Sequence, residues 1–183
     1  MPNRYFIAII PPEPIEKEIF KLKTEVSQHY FSHAALKSPS HITLHMPFTL
    51  EKKVECRFLE NINEWNIYSP AFHLELSGFS HFRSKVIFIS VIENQTLNKL
   101  REVVVDYMKL NFNIFNQADD RKPFHPHITI AFRDLKKNQF DLAWNNFSSR
   151  VFNANFTCES VWILKWNNQE WIKLKEIKLI NCI

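Results

Sequence analysis

Apolar and polar positions alternate along the chain in two periods, and the changes of period mark out its elements. Tyr5–Ile10 is a short apolar run closed by Pro11-Pro12, the mark of a buried strand. Pro12 and Pro14 then suit the first turn of a helix. Ile15, Ile19, Leu22, Val26 and Tyr30 follow at helical spacing, with Glu16, Lys17, Lys21 and Lys23 around them, so an amphipathic surface helix is expected. His41–Met46, between Pro39 and Pro47, predicts a short strand, and 61–70 is polar and loop-like. Phe72, Leu74 and Leu76 alternate with polar residues up to Gly78, a half-buried strand. Val86–Ile92 is a continuous apolar run suited to a central strand. Asn94 is placed to cap a helix presenting Leu97, Leu100, Val104 and Tyr107.

Beyond Pro123 and Pro126 a strand is expected at His127–Phe132, then a short helix carrying Phe140, Trp144 and Phe147. The last stretch predicts a hairpin. Phe156, Cys158, Ser160, Trp162, Leu164 and Trp166 would share one face, Asn167-Asn168 would make the turn, and Trp171–Leu179 would return with a bulge near Glu176. Interspersed helices and largely antiparallel strands argue for an α+β fold. The 183 residues suit a single domain.

Composition narrows the function. With 45% hydrophobic residues and a net charge of +4, disorder is excluded. The single glycine excludes a Walker A loop or a dinucleotide fingerprint, which need several for close backbone approach to phosphate. Any phosphate must be met by side chains. Cys56, Cys158 and Cys182 are far apart and suggest reduced, structural thiols. No apolar stretch reaches membrane-spanning length, and Tyr5–Ile10 is too short for a signal sequence, so a cytoplasmic protein is expected.

The chemistry lies in a repeated four-residue pattern. His41-Ile42-Thr43-Leu44 and His127-Ile128-Thr129-Ile130 share the form His–apolar–Thr–apolar. A random arrangement of this composition yields about 0.05 such matches, so two copies are not accidental. On a strand, residues two apart face the same way. Each copy therefore offers one imidazole and one hydroxyl on its polar face, with the apolar pair turned to the core. Two imidazoles suit in-line displacement at phosphorus. One, neutral, takes a proton from the attacking oxygen and the other, protonated, gives one to the leaving oxygen. Threonine hydroxyls donate to the non-bridging oxygens. No metal or nucleotide cofactor is required.

These residues resemble the 2H phosphoesterase superfamily, named for two such motifs, and within it the 2′-5′ RNA ligase-like cyclic phosphodiesterases. Tyr5–Ile10 with Pro11-Pro12, Pro39-x-His41-Ile-Thr43-Leu, Gly78-Phe79 before Val86–Ile92, and Pro126-His127-Ile-Thr129-Ile occur in the expected order. The resemblance implies a bilobal fold of two antiparallel-rich sheets related by an approximate two-fold, with flanking helices and a central cleft. It implies metal-independent action on 2′,3′-cyclic phosphates or 2′-5′ phosphodiesters of RNA 3′ ends or small nucleotides. His41 and His127 would be the acid–base pair, with Thr43 and Thr129 on the phosphate. One departure is His45, where related sequences often carry a basic residue after the first motif.

Strand phase puts His45 on the same face as Thr43, and His125 on that of His127, so both are candidate substrate contacts. Arg121, Lys122 and Arg133 flank the second motif and could attract a phosphodiester. Phe48 and Phe124 could stack on a base, although packing suits them too, and Tyr5 and Arg4 are weaker candidates. Two other functions fit: a nucleotide or RNA-end binding module without turnover, and a zinc hydrolase on His41, His45, His125 and His127. A monomer is expected.

Overall fold

The computed structural model describes residues 2–116 and 123–181; Arg121, Lys122 and Cys182 lie outside them. Strand β1 (Asn3–Ile9) is buried on both faces from Tyr5 onward, as its continuous apolar run requires. Helix α1 (Ile15–Tyr30) turns Ile19, Lys23, Val26 and Ser27 inward. Lys23 is a departure from the amphipathic reading: it is buried, not part of the solvated face. A 3-10 turn, Ala34–Lys37, leads to β2 (Ile42–Leu50), which runs on past Pro47. Helix α2 (Lys52–Glu64) runs into the stretch 61–70 expected as loop, and β3 (Ile67–Tyr68) lies within it. That helix escapes the pattern because one of its buried positions is held by a carboxylate: Glu55 joins Phe58 and Ile62 in the interior.

Strands β4 (Phe72–Phe82) and β5 (Val86–Val91) form a hairpin. β4 continues through Gly78, whose φ of +64° is the left-handed region open to glycine. Asn94 caps α3 (Gln95–Phe112), its side-chain oxygen accepting from the Leu97 amide at 3.0 Å. β6 (His127–Ala131), α4 (Lys137–Phe147), β7 (Asn153–Cys158), β8 (Ser160–Trp166) and β9 (Trp171–Ile180) complete the chain. The bulge in the β8–β9 hairpin falls at Leu174, since Ile163 pairs with Lys175 and Leu164 with Lys173.

The strand order is β3-β9-β8-β1-β2-β6-β5-β4-β7, antiparallel throughout except for β3–β9. The two lobes, β3-β9-β8-β1-β2 and β6-β5-β4-β7, join at one pair, Ile42 with Ile128. The motif strands are therefore the seam. The helices follow the approximate two-fold: α1, which follows β1, packs on β6 of the other lobe, and α3, which follows β5, packs on β2. This is the α+β, bilobal arrangement expected from the sequence.

The expected continuous face from Phe156 to Trp166 is broken at Glu159. β7 pairs with β4 in one lobe and β8 with β1 in the other. In strand order they stand six places apart, about 29 Å across a flat sheet. Yet Cys158 and Ser160 are separated by one residue, a reach of about 7 Å. The ladder must therefore curl until its two wings approach.

Candidate active site

The seam decides how the two motifs meet. With Ile42 directly opposite Ile128 and the strands antiparallel, Thr43 falls across from His127 and Thr129 across from His41. The two histidines are then diagonal neighbours, with backbones about 7–8 Å apart. Ile42, Leu44, Ile128 and Ile130 are buried in the core, so the His and Thr side chains take the opposite face. All four line one cavity of about 340 Å³, with Phe6, Phe82, Phe132, Arg133 and Trp171 among its walls. No helix α1–α4 contributes to that lining. Its rim is fixed by Asp134, whose carboxylate accepts from the Ser32 hydroxyl at 2.8 Å and from the His33 and Ala34 amides at 2.8 and 3.0 Å. That clamp sets the 3-10 turn, from which Ala35 reaches the cavity.

The two imidazoles are held alike. His41 Nδ1 donates to the Pro39 carbonyl at 2.7 Å, and His127 Nδ1 donates to the His125 carbonyl at 2.7 Å. Since a carbonyl only accepts, each neutral ring carries its proton on Nδ1 and keeps an Nε2 lone pair. Each ring also packs on phenyl rings: His41 on Phe6 at 4.7 Å, His127 on Phe82 and Phe88 at 4.9 Å. This desolvation lowers both pKa values. His41 falls to about 3, through burial first and then the cation of Lys23. His127 falls mainly through burial, with His125 adding a smaller push. Without an anion in the cleft both rings are neutral, and a bound phosphate would raise them. Among the described residues neither Thr43 nor Thr129 spends its hydroxyl on a side-chain hydrogen bond.

Lys23 is the residue that sequence reasoning missed. It is 1% exposed, its Nζ donates to the Ser38 carbonyl at 3.0 Å, and burial pushes its pKa down to about 7. It braces the segment that carries His41. Phe6, Phe82 and Trp171 were also missed, because only tertiary structure brings them to the cavity. Lys23 left one signal: it stands four residues from Ile19, in the apolar phase of α1.

The other candidates divide. Arg133 lines the cavity at its exposed edge, its guanidinium 5.2 Å from the Phe132 ring. His125 opens into an adjoining hollow with Arg101, Asn116 and Phe124. His45 is corrected: it is fully buried and lines neither space. Ala8 pairs with Thr43 but Ile7 with His45, so a β-bulge at this point turns both Leu44 and His45 to the core. There His45 lies edge-on to Phe48 at 5.2 Å, and its Nδ1 donates to the Met46 carbonyl at 2.9 Å. Tyr5 and Phe48 also face that core, Tyr5 hydrogen-bonding to Glu55, and Phe124 lies under Arg101. With His45 turned away and His125 in the next hollow, the four histidines do not converge on one point. Among the described residues no group of three or more His, Cys, Asp or Glu could hold a metal ion, and no helix is long and apolar enough to cross a membrane.

Residues 11–170 match the family model described as the 2′-5′ RNA ligase superfamily. No curated protein matches the sequence. Among solved structures, Escherichia coli LigT in its apo form superposes with a TM-score of 0.67 at 19% identity, covering 98% of each chain. LigT complexed with 3′-AMP gives 0.66 at 20% identity, covering 98% of this chain and 99% of that one. A Thermus thermophilus protein gives 0.62 at 17%, covering 96% and 97%. At such identities the likeness is one of fold.

Proposed function

The chain belongs to the 2′-5′ RNA ligase superfamily, and on that premise we propose that it is a metal-independent phosphodiesterase acting on 2′,3′-cyclic phosphate or 2′-5′ phosphodiester bonds of RNA ends or small nucleotides. The observation that carries this reading is the single Ile42–Ile128 rung. It puts two His–Thr sets around one cavity, both imidazoles with Nδ1 committed to a carbonyl and Nε2 left for the reaction.

For a cyclic phosphate, water attacks phosphorus and passes a proton to the Nε2 of the neutral histidine. The P–O bond to one ribose oxygen breaks, and that oxygen takes its proton from Nε2 of the other, protonated histidine. The product is an open phosphomonoester, and the pair ends with its one proton on the other ring, so it resets by passing that proton back with no net exchange with solvent. The hydroxyls of Thr43 and Thr129 donate to the non-bridging oxygens as charge gathers there. Arg133, at the edge of the cavity, supplies positive charge to the incoming anion. Lys23 favours neutral His41 in the free site, and the phosphate anion restores the proton to one ring. Escherichia coli LigT, of the same fold, has structures with 3′-AMP, ATP and NADP+, and a cavity of about 340 Å³ suits a nucleotide-sized ligand here.

The test is a substrate panel in the presence of a chelator: 2′,3′-cyclic nucleotides, 2′-5′ dinucleotides and 3′-5′ controls. Turnover of either of the first two classes and not the third is the expected result. Saturable binding with no turnover of any of them would make the protein a nucleotide-binding module instead. Activity restored only by zinc would favour the metal reading.

A further inference from the structure

The scaffold of the cleft is two-fold, but its aromatic surroundings are not. On the β1 side a row of rings leaves the cavity. Phe6 lies 4.7 Å from His41, Trp171 lies 4.7 Å from Phe6, and Trp166 lies 5.5 Å from Trp171. Trp166 and Trp171 are each half-exposed. The Arg4 guanidinium stands 5.3 Å over Trp171 and 5.7 Å over Trp166. Across the hairpin, Lys173 lies 5.4 Å over the ring of Trp162. In the other lobe Phe82 and Phe88 flank His127, and among the described residues no tryptophan continues from them. Strand pairing explains the row: Trp166 pairs with Trp171 across the turn, and Tyr5 pairs with Lys165, so Arg4 and Phe6 share the face of the tryptophans.

We propose that this face is a stacking platform for single-stranded RNA of about three nucleotides, continuing from the catalytic cleft across Trp171 and Trp166. The bases would lie on the tryptophan rings, and the phosphates would meet Arg4 and Lys173. This rests on the phosphodiesterase reading, which places one nucleotide in the cleft and leaves the rest of an RNA end to be held elsewhere. Three observations select this occupant. Flat, half-exposed indoles interleaved with cations match bases and phosphates, and stacking tolerates any sequence. Among the described residues Arg4 has no carboxylate partner, whereas Arg150 and Lys165 do. Beyond Trp162, with Lys173 at the border, lies a hollow of about 310 Å³ whose lining carries four carboxylates, Glu13, Glu16, Glu159 and Glu176, against two cations, Lys173 and Lys178, and this acidic excess disfavours an anionic strand there relative to the side of Arg4.

Two readouts test the platform independently of catalysis. In the His127→Ala variant, chosen to slow turnover, tryptophan fluorescence is titrated with single-stranded RNA of one, two, four and eight nucleotides. The expected result is quenching and an affinity about tenfold or more higher for the tetramer than for the monomer, falling steeply with salt. Trp166→Ala should remove that gain of affinity with length, and Arg4→Gln should weaken binding while flattening the salt dependence. Circular dichroism checks that each variant is folded, and Arg4→Gln, a surface change, keeps the test open if Trp166→Ala is not. Affinity independent of length, length gain unchanged in both variants, or preference for duplex RNA would overturn the proposal. If length-dependent binding is found and no substrate is turned over, the platform stands and the phosphodiesterase reading falls. If cyclic nucleotides are turned over with no gain from length, the reverse holds.

Discussion

Replacing His41 by Gln isolates the electrostatic state of the cleft. In the folded chain burial, then Lys23, hold the His41 pKa at about 3, against 6.5 for an unperturbed imidazole. A folded pKa below the unfolded one means that the unfolded chain takes up the proton first as pH falls. The stability His41 contributes is therefore complete above pH 6.5 and is lost progressively toward pH 3. One such group gives a limiting slope of about 1.4 kcal/mol per pH unit, so between pH 7 and pH 5 the loss comes to about 2 kcal/mol. Gln keeps a donor for the Pro39 carbonyl and does not titrate. Urea unfolding at pH 7, 6 and 5 reads the effect directly, since the other titrating groups are common to both proteins. The stability of the wild type relative to His41→Gln should fall by about 2 kcal/mol over that range. A difference that does not change with pH, or that grows as pH falls, would show that the fold does not hold His41 neutral.

Three further outcomes follow from the geometry. Thr43→Ala and Thr129→Ala should each lower kcat about 10- to 100-fold, by loss of one neutral hydrogen bond to the phosphoryl oxygens, while Thr→Ser at either place should be mild; steady-state kinetics on a cyclic nucleotide decides. Lys23→Met should raise the His41 pKa, since it removes a cation that depresses it, and an NMR titration of the ring protons should move to higher pH. His45→Leu should leave kcat/KM within about threefold, because the ring faces the core and not the cleft, while lowering stability by about 1 kcal/mol in urea unfolding, since it strands the Met46 carbonyl that the ring Nδ1 partners. A loss of a hundredfold in kcat/KM would return His45 to the substrate.

Much of the site was legible because strand geometry is short-range. A period of two on His41–Leu44 and on His127–Ile130 is enough to place His and Thr on one face and Ile and Leu on the other, and the structure has them so. The Asn94 cap and the buried stripe of α3 were readable for the same reason. What was not legible depends on partners distant in sequence. The bulge opposite Ile7 reverses the phase at His45, and nothing local announces it. Lys23 looked like part of a solvated face, and it is the Ser38 carbonyl that gives its ammonium a place in the interior. Glu55 masked α2 because its partners, Asn3, Tyr5 and Lys165, come from two other strands. The crossing at Glu159 is visible only once β7 and β8 are assigned to different lobes.

The central claim is that His41 and His127 act as one acid–base pair on a phosphodiester, and the pH dependence of turnover in the wild type and the two single variants tests it most directly. With a 2′,3′-cyclic nucleotide as substrate, wild-type kcat, which reports the complex in which the phosphate raises both rings, should trace a bell whose limbs belong to the coupled pair. His41→Ala and His127→Ala should each lower kcat by about 10²–10⁴ and each lose a limb of that bell, and the double variant should lose less than the product of the two. A flat profile between pH 5 and 8.5, or near-normal turnover in His127→Ala, would contradict the account.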